Sequence, residues 1–254
     1  MAGDARASFA SSPAAYAADR PLYPEALFEW IAERCGRRRT AWDCATGNGQ
    51  AAIGLARRFH RVEATDLSPE QVTRGFAAPN VRYSAQPAEA TDFPAGSFDL
   101  VAVAQALHWF DYERFWPEVR RVAAPGAFFC AWGYSWFQRT VETETLHNAF
   151  LDPLVDLLDP YWAPNNRILW DGYRSEDVRF PFERVEAPHF EIRLDWDAER
   201  LIAYVRTWSA WKLAQADPAA HALSELEALA RDRFSGHGAL GLSLPLFVAA
   251  GPGA

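Results

Sequence analysis

Eight consecutive residues, Asp43-Cys44-Ala45-Thr46-Gly47-Asn48-Gly49-Gln50, bring together an acid, two glycines and short polar side chains. Placed after a strand, such a run can serve a ligand. Gly47 and Gly49 let backbone N–H groups approach it closely, and the start of the next helix favours a carboxylate or phosphate. Asp66 follows 17 residues after Gly49. A carboxylate there can accept hydrogen bonds from both hydroxyls of a ribose, or it can cap a helix. His108, within Gln105-Ala106-Leu107-His108-Trp109-Phe110-Asp111, is the titratable group with the most chemical scope. As a neutral imidazole it could take a proton from a substrate; alternatively it only fixes its own turn. The remaining histidines are scattered, and no HExxH or Cys/His cluster occurs, so no metal is expected.

These residues need a scaffold that brings strand ends together. The spacing predicts a helix over Tyr23–Cys35, with Pro24 at its first position, and a strand over Thr40–Ala45 leading into the glycine run. Helical spacing resumes with Ile53, Ala56 and Phe59. A strand over Val62–Thr65 ends at Asp66, and Ser68-Pro69-Glu70-Gln71 reads as a capping box. Strands are predicted over Val81–Ser84, Phe98–Ala104 and Ala127–Gly133. A helix from Asp111 is expected to break or restart at Pro117. Strand and helix alternating in this way predict an α/β protein with an open, doubly wound, mostly parallel sheet. The looser stretch after Thr140 reads as an inserted helical cap. The expected organisation is therefore 1–139 as the ligand-binding core, 140–182 as the cap and 183–254 as strands and helices completing the sheet. Two late strands (Phe190–Leu194, Leu242–Val248) flank a helix over Ala198–Ala214, and the terminal Gly-Pro-Gly-Ala is expected to fray.

Composition removes other classes. The chain has 254 residues, 25 Lys plus Arg against 33 Asp plus Glu, and a net charge of −8, which argues against nucleic acid as partner. No apolar stretch is long enough to span a bilayer, and the first ten residues lack the apolar segment of a secretory signal, so a cytoplasmic protein is expected. Three cysteines without a CxxC pair indicate neither a disulfide framework nor a zinc ribbon. Lys212 is the single lysine. Aromatics are abundant: of 11 tryptophans, nine lie between Trp109 and Trp211. Such rings either build a core or line a ligand pocket.

A dinucleotide loop wants G-x-G-x-x-G directly after the first strand. Here the glycines are Gly47, Gly49 and Gly54, so the third is displaced by two, and Asp43 stands at the strand end. An NAD-dependent oxidoreductase is disfavoured. The run instead resembles motif I of the class I S-adenosylmethionine-dependent methyltransferases, D-x-G-C-G-T-G-Q, through Asp43, Gly47, Gly49 and Gln50, with Ala45 in place of the first glycine. Ala88-Glu89 followed by Phe93–Val101 resembles the family's A-E-x-L-P-F-P-D-G-S-F-D-L-V, and Arg121-Val122 with Pro125-Gly126 its R-V-L-K-P-G-G. The His108-Trp109-Phe110-Asp111 run, with Tyr16, Arg20-Pro21 and Tyr23-Pro24, is similar to the branch containing the trans-aconitate methyltransferases.

The resemblance implies a Rossmann-like fold, S-adenosylmethionine as cofactor with S-adenosylhomocysteine as product, no metal, and a small-molecule acceptor, the protein being a monomer or homodimer. It implies that Ala45, Gly47 and Gly49 line the methionine part, that Asp66 holds the ribose with Leu67 beside the adenine, and that Ala88 and Glu89 reach the adenine edge. Gln105 would sit near the methionine moiety and Arg20 would pair with its carboxylate; Tyr16 and Asp43 belong to the same cofactor set. His108 is the candidate catalytic residue. Trp109, Trp132, Tyr134 and Trp208 are expected to hold an acceptor that is aromatic or heteroaromatic and is methylated on N or O. The alternatives are methyl esterification of a small carboxylic acid and a non-catalytic S-adenosylmethionine-binding protein.

Overall fold

The computed structural model describes residues 20–234, 236 and 238–253. Helix α1 (Glu25–Arg34) starts after the extended Pro24 and buries Leu27, Phe28, Trp30 and Ile31. Strand β1 (Thr40–Cys44), helix α2 (Gln50–Ala56), strand β2 (Arg61–Asp66), helix α3 (Pro69–Thr73) and strand β3 (Val81–Ala85) follow in the expected alternation. Ser68 accepts a hydrogen bond from the Gln71 N–H at 3.4 Å, which caps α3 as its sequence predicts. Strand β4 (Phe98–Ala104), helix α4 (Tyr112–Val122) and strand β5 (Ala123–Gly133) complete this half. Pro117 does not break α4. A mid-helix proline costs roughly 3 kcal/mol, but Phe115, Trp116, Val119 and Val122 are all buried by the uninterrupted helix, and four such side chains offset more than that.

Beyond β5 come α5 (Glu144–Leu146), a π turn (His147–Leu151), α6 (Asp152–Leu158), α7 (Asn166–Trp170), β6 (Phe190–Trp196), α8 (Ala198–Val205), α9 (Ser209–Gln215), α10 (Ala222–Phe234) and β7 (Leu240–Pro252). The single helix expected over Ala198–Ala214 is thus two, because Trp208 takes an extended conformation (ψ 140°) and its ring enters an aromatic cluster. Residues 251–253 do not fray as expected. Gly251 and Pro252 pair with Phe129 and Phe128, and Gly251 is backed by the Glu183 carbonyl, which a Cβ would meet at 2.4 Å.

The sheet has seven strands in the order β3-β2-β1-β4-β5-β7-β6. β1 pairs in parallel with β2 and β4, β2 with β3, and β4 with β5; β7 runs antiparallel to β5. The winding direction reverses between β1 and β4, and open α/β sheets take ligands at the carboxyl ends of strands at such a reversal. The register sets Cys44 opposite both Thr65 and Val103, so the glycine run, Asp66 and Gln105 emerge from neighbouring strand ends.

The chain folds as two compact units. One comprises Leu22–Ser135, Asn165–Glu191 and the residues from Pro245 onward. Its core packs Trp42, Phe98, Phe115, Trp116 and Phe129 against Leu169, Tyr173 and Val178. Two tryptophans in it are held by hydrogen bonds as well as by packing, Trp42 Nε1 to Thr65 Oγ1 and Trp116 Nε1 to the Val178 carbonyl, both at 2.8 Å. The other unit comprises Trp136–Pro164 and Ile192–Leu244, with Arg20 and Pro21. There the buried Glu227 pairs with Arg206 and Arg231, and Arg231 reaches Glu199, which ties α8 to α10.

Candidate functional site

Asp43, the last residue but one of strand β1, is fully buried. Its Oδ2 accepts a hydrogen bond from Thr46 Oγ1 at 2.5 Å, while its Oδ1 has no hydrogen-bond partner among the described residues. Burial pushes the Asp43 carboxyl up to about 7, and hydrogen bonds from Thr46 and from the Ala52 backbone only partly offset that. Two residues past Thr46, Asn48 is buried with its Nδ2 likewise lacking a hydrogen-bond partner. An acceptor and a donor, both buried and both unsatisfied, stand at the strand end where a polar ligand would use them.

Gly47 has a left-handed backbone (φ +58°) with open space where a Cβ would stand, so the chain can be approached there. Gly49, also left-handed (φ +90°), is different. A Cβ on it would lie 2.0 Å from the Tyr83 hydroxyl, so this glycine makes room for Tyr83. Gly54, the glycine displaced from the dinucleotide pattern, faces Phe28 of α1, which a Cβ would meet at 2.2 Å. Its task is to bring α2 onto α1.

Ala45 adopts φ +55° where the motif that this run resembles has glycine. A left-handed conformation costs a Cβ-bearing residue about 1–2 kcal/mol. Ala45→Gly relieves that cost but gives the unfolded chain more freedom, worth about 0.4–1 kcal/mol in the opposite sense. The expected result is a net stabilisation of about 0.5–1 kcal/mol, read as a higher midpoint in thermal denaturation. An unchanged or lower midpoint would show that the turn relaxes around Ala45.

Asp66, at the end of β2, accepts from the Gly47 N–H with Oδ2 and from the Ser68 N–H with Oδ1, each at 2.9 Å. It joins the glycine run to the start of α3. Burial raises its pKa, opposed by these backbone bonds. Each oxygen keeps a second lone pair for a ligand hydroxyl. Leu67 beside it is 60% exposed, an apolar side chain left in the open next to a carboxylate. Ala88 is buried, and Glu89 accepts the Asp111 N–H at 3.2 Å.

Gln105 is left-handed too (φ +55°), and both ends of its amide are used. Nε2 donates to the Tyr134 carbonyl at 3.1 Å and Oε1 accepts from the Tyr134 N–H at 3.2 Å, which extends the β4–β5 ladder by one side-chain rung. His108 follows in a short 3₁₀ turn (Leu107–Trp109) and is buried. Its Nδ1 lies 3.5 Å from the Tyr173 hydroxyl, and the two rings stack with centroids 6.3 Å apart. Burial pulls the imidazole down to about 3, so it is neutral throughout the physiological range.

The expected acceptor residues divide by unit. Trp132 is fully buried and meets Tyr23 and Phe28 edge-on at 5.6 and 6.1 Å. Tyr134 is buried with its ring 6.4 Å from that of Tyr23. Trp109 is half-buried, 4.8 Å from the His108 ring. In the other unit, Trp208 meets Trp136 at 5.9 Å and Trp162 at 5.7 Å, while Trp136 and Trp162 meet at 5.9 Å. Trp208 is buried; Trp136 and Trp162 are half-exposed. Arg20 lies in this unit, its guanidinium 5.9 Å from the Tyr204 ring centre. Tyr16 lies outside the described residues. Asn48, Tyr83 and Tyr173 were not singled out in the sequence. Only Asn48 had a signal, its place between the two glycines. Among the described residues no group of three or more His, Cys, Asp or Glu is placed to hold a metal ion, and no helix is long and apolar enough to cross a membrane.

A doubly wound sheet with an acid and a glycine turn at its first strand end and an acid at its second defines a nucleotide-type binding protein. Comparison with known proteins narrows this to one family. The model of a methyltransferase domain matches residues 42–131. A Dictyostelium discoideum protein named as a methyltransferase is 30% identical over 206 residues, 80% of this chain and 77% of that one. A Mycobacterium tuberculosis methyltransferase is 37% identical over 124 residues, 48% of this chain and 50% of its own. A solved structure described as a type II methyltransferase, from Anaeromyxobacter dehalogenans, is 37% identical with a TM-score of 0.81, covering 92% of this chain and 97% of that one. The chain belongs to the class I S-adenosylmethionine-dependent methyltransferases.

Proposed function

We propose that this enzyme methylates an aromatic or heteroaromatic small molecule on nitrogen or oxygen. The observation that supports an aromatic acceptor is the three-tryptophan cluster of Trp136, Trp162 and Trp208, two of whose rings remain half-exposed. A ring stacked on an indole gains about 0.5–1.5 kcal/mol beyond its buried area. We assign Trp208 with its two neighbours to the acceptor. We assign the unit built from 136–164 and 192–244 to acceptor recognition and the unit that carries β1 to β5 to the cofactor.

The residues present fit the cofactor. Asp43 Oδ1 and Asn48 Nδ2 are a buried acceptor and donor without partners, Gly47 leaves backbone approachable, and Asp66 with exposed Leu67 suits a ribose followed by an adenine. Ala45, Ala88, Glu89 and Gln105 would frame the rest. When bound, S-adenosylmethionine supplies a methyl group on a sulfonium, which departs as a neutral thioether. The chain then has to hold the acceptor atom in line at near-attack distance and exclude water. His108 is neutral, yet a pKa of about 3 makes it a weak base, far from the poised value general-base catalysis uses. We assign it to positioning: it fixes the turn after β4 through Tyr173, and the acceptor sheds its proton to solvent outside the closed site, before binding for an oxygen acceptor and on release for an amine.

Calorimetric titration with S-adenosylhomocysteine and a turnover panel of aromatic amines, phenols and aliphatic acids test the reading. Binding of the product with a Kd at or below tens of micromolar is expected, with turnover on ring substrates that falls about tenfold or more in Trp208→Ala. Turnover confined to aliphatic acids and indifferent to Trp208→Ala would favour methyl esterification of a small carboxylic acid instead.

A further inference from the structure

Tyr83, on β3, is half-buried, and two glycines face its ring. A Cβ on Gly49 would lie 2.0 Å from the Tyr83 hydroxyl and a Cβ on Gly75 2.6 Å from the ring, so the ring fills a slot that glycine on both sides leaves open. The sheet register explains how it gets there. Tyr83 pairs with Ala64 and Ala64 with Asp43, so the three side chains leave one face of the sheet in a row. The small Ala64 lets the ring reach across β2 toward the glycine run. The Tyr83 hydroxyl donates to the Phe76 carbonyl at 3.0 Å, and the Phe76 N–H donates to the Asn48 carbonyl at 3.0 Å. Burial first, and then the Asp43 charge, raise the pKa of the hydroxyl, so it stays a donor. Tyr83 thus holds Asn48 through a single intervening residue. Asn48 is itself buried, with an Nδ2 that lacks a hydrogen-bond partner. A buried donor left open costs free energy until an acceptor arrives, so whatever holds this amide in place bears on the molecule that supplies one.

We infer that Tyr83 is a positioning residue for the cofactor: through Phe76 its hydroxyl fixes Asn48, and the Asn48 side-chain amide donates to an acceptor atom of the bound S-adenosylmethionine. This rests on the reading of the glycine run as the cofactor site. Gly49 then serves the cofactor indirectly, by admitting Tyr83. All of these residues belong to the unit that carries β1 to β5.

The test compares wild type, Tyr83→Phe, Asn48→Ala and the double variant by calorimetric titration with S-adenosylhomocysteine. Tyr83→Phe keeps the ring in its slot and loses only the hydroxyl, so the fold is retained. Asn48→Ala is expected to weaken binding about tenfold and Tyr83→Phe about 3- to 10-fold. The double variant should bind no more than about twofold more weakly than Asn48→Ala alone, because Tyr83 acts through Asn48. A hydroxyl with a merely structural role would lower the thermal midpoint without this dependence on Asn48. In the unliganded protein, amide hydrogen exchange at Phe76 should be faster in Tyr83→Phe than in wild type. Losses that multiply in the double variant, an unchanged affinity in either single variant, or equal exchange at Phe76 overturn the inference. Failure of the wild type to bind S-adenosylhomocysteine would remove the cofactor reading itself, and the inference with it.

Discussion

Asp43→Asn is expected to give a more stable protein that binds its cofactor less well. The Asp43 carboxyl titrates near 7 in the fold because burial penalises its ionised form. In the unfolded chain it titrates at the ordinary value, about 3.9. Between those values the folded state holds the proton that the unfolded state has lost, so stability falls as pH rises from about 4 to 7 and then levels off. Asparagine has no such slope. At about 1.4 kcal/mol per pH unit the gap between variant and wild type is near zero at pH 4 and reaches about 4 kcal/mol above pH 7, an upper figure for a site that can relax. For a chain of this size that is on the order of 10 °C in the thermal midpoint. The asparagine still accepts from Thr46, so the turn is kept. Affinity for S-adenosylhomocysteine should fall about tenfold or more, because an ionised acceptor is replaced by a neutral one. Wild-type affinity should itself weaken below pH 7 as Asp43 takes up its proton. Equal midpoints for the two proteins at pH 4 and at pH 8 would mean that folding leaves the Asp43 pKa at its unfolded value, with no burial penalty on the ionised carboxylate.

The scaffold of this site was legible in the sequence because it follows local rules. Strand β4 matches its predicted bounds, since Phe98–Ala104 is a short, mostly apolar run between turn residues. The glycine run, Asp66 and the Ser68 cap all lie within a few residues of the elements they terminate. What the sequence did not reveal depends on contacts between residues far apart in the chain. The helix over 198–214 has one apolar face throughout, yet it breaks where Trp208 turns toward Trp136 and Trp162. Pro117 reads as a breaker until the burial of Phe115, Trp116 and Val119 is weighed against it. Gly251-Pro252 has the composition of a loose end, and only the Glu183 carbonyl behind it shows why it is held. The stretch 140–182, read as one cap, is shared between two units that meet in sequence at Pro164 and Asn165. Side-chain roles were harder still. Gln105 stands at the place of a cofactor contact, while its amide is engaged by the Tyr134 backbone twenty-nine residues away.

Asp66→Ala is expected to have the largest effect on the cofactor, and two causes contribute. The Asp66 carboxylate accepts the Gly47 and Ser68 N–H groups, both at 2.9 Å, so its loss frees the glycine turn as well as any ribose. Hydrogen bonds to a charged acceptor are worth about 1.5–3 kcal/mol each. The variant should therefore lose about 2 kcal/mol of stability or more, discounted because part of the raised pKa of Asp66 reflects a burial cost that the alanine escapes. Its affinity for S-adenosylhomocysteine should fall about 100-fold or more. A double-mutant cycle separates the causes: wild type and Asp66→Ala are each titrated with S-adenosylhomocysteine and with its 2′,3′-dideoxy analogue. If Asp66 holds the ribose, the analogue binds the wild type weakly and loses little further affinity in the variant, giving a coupling of about 2 kcal/mol. Equal losses for both ligands would make Asp66 a brace for the glycine turn and nothing more.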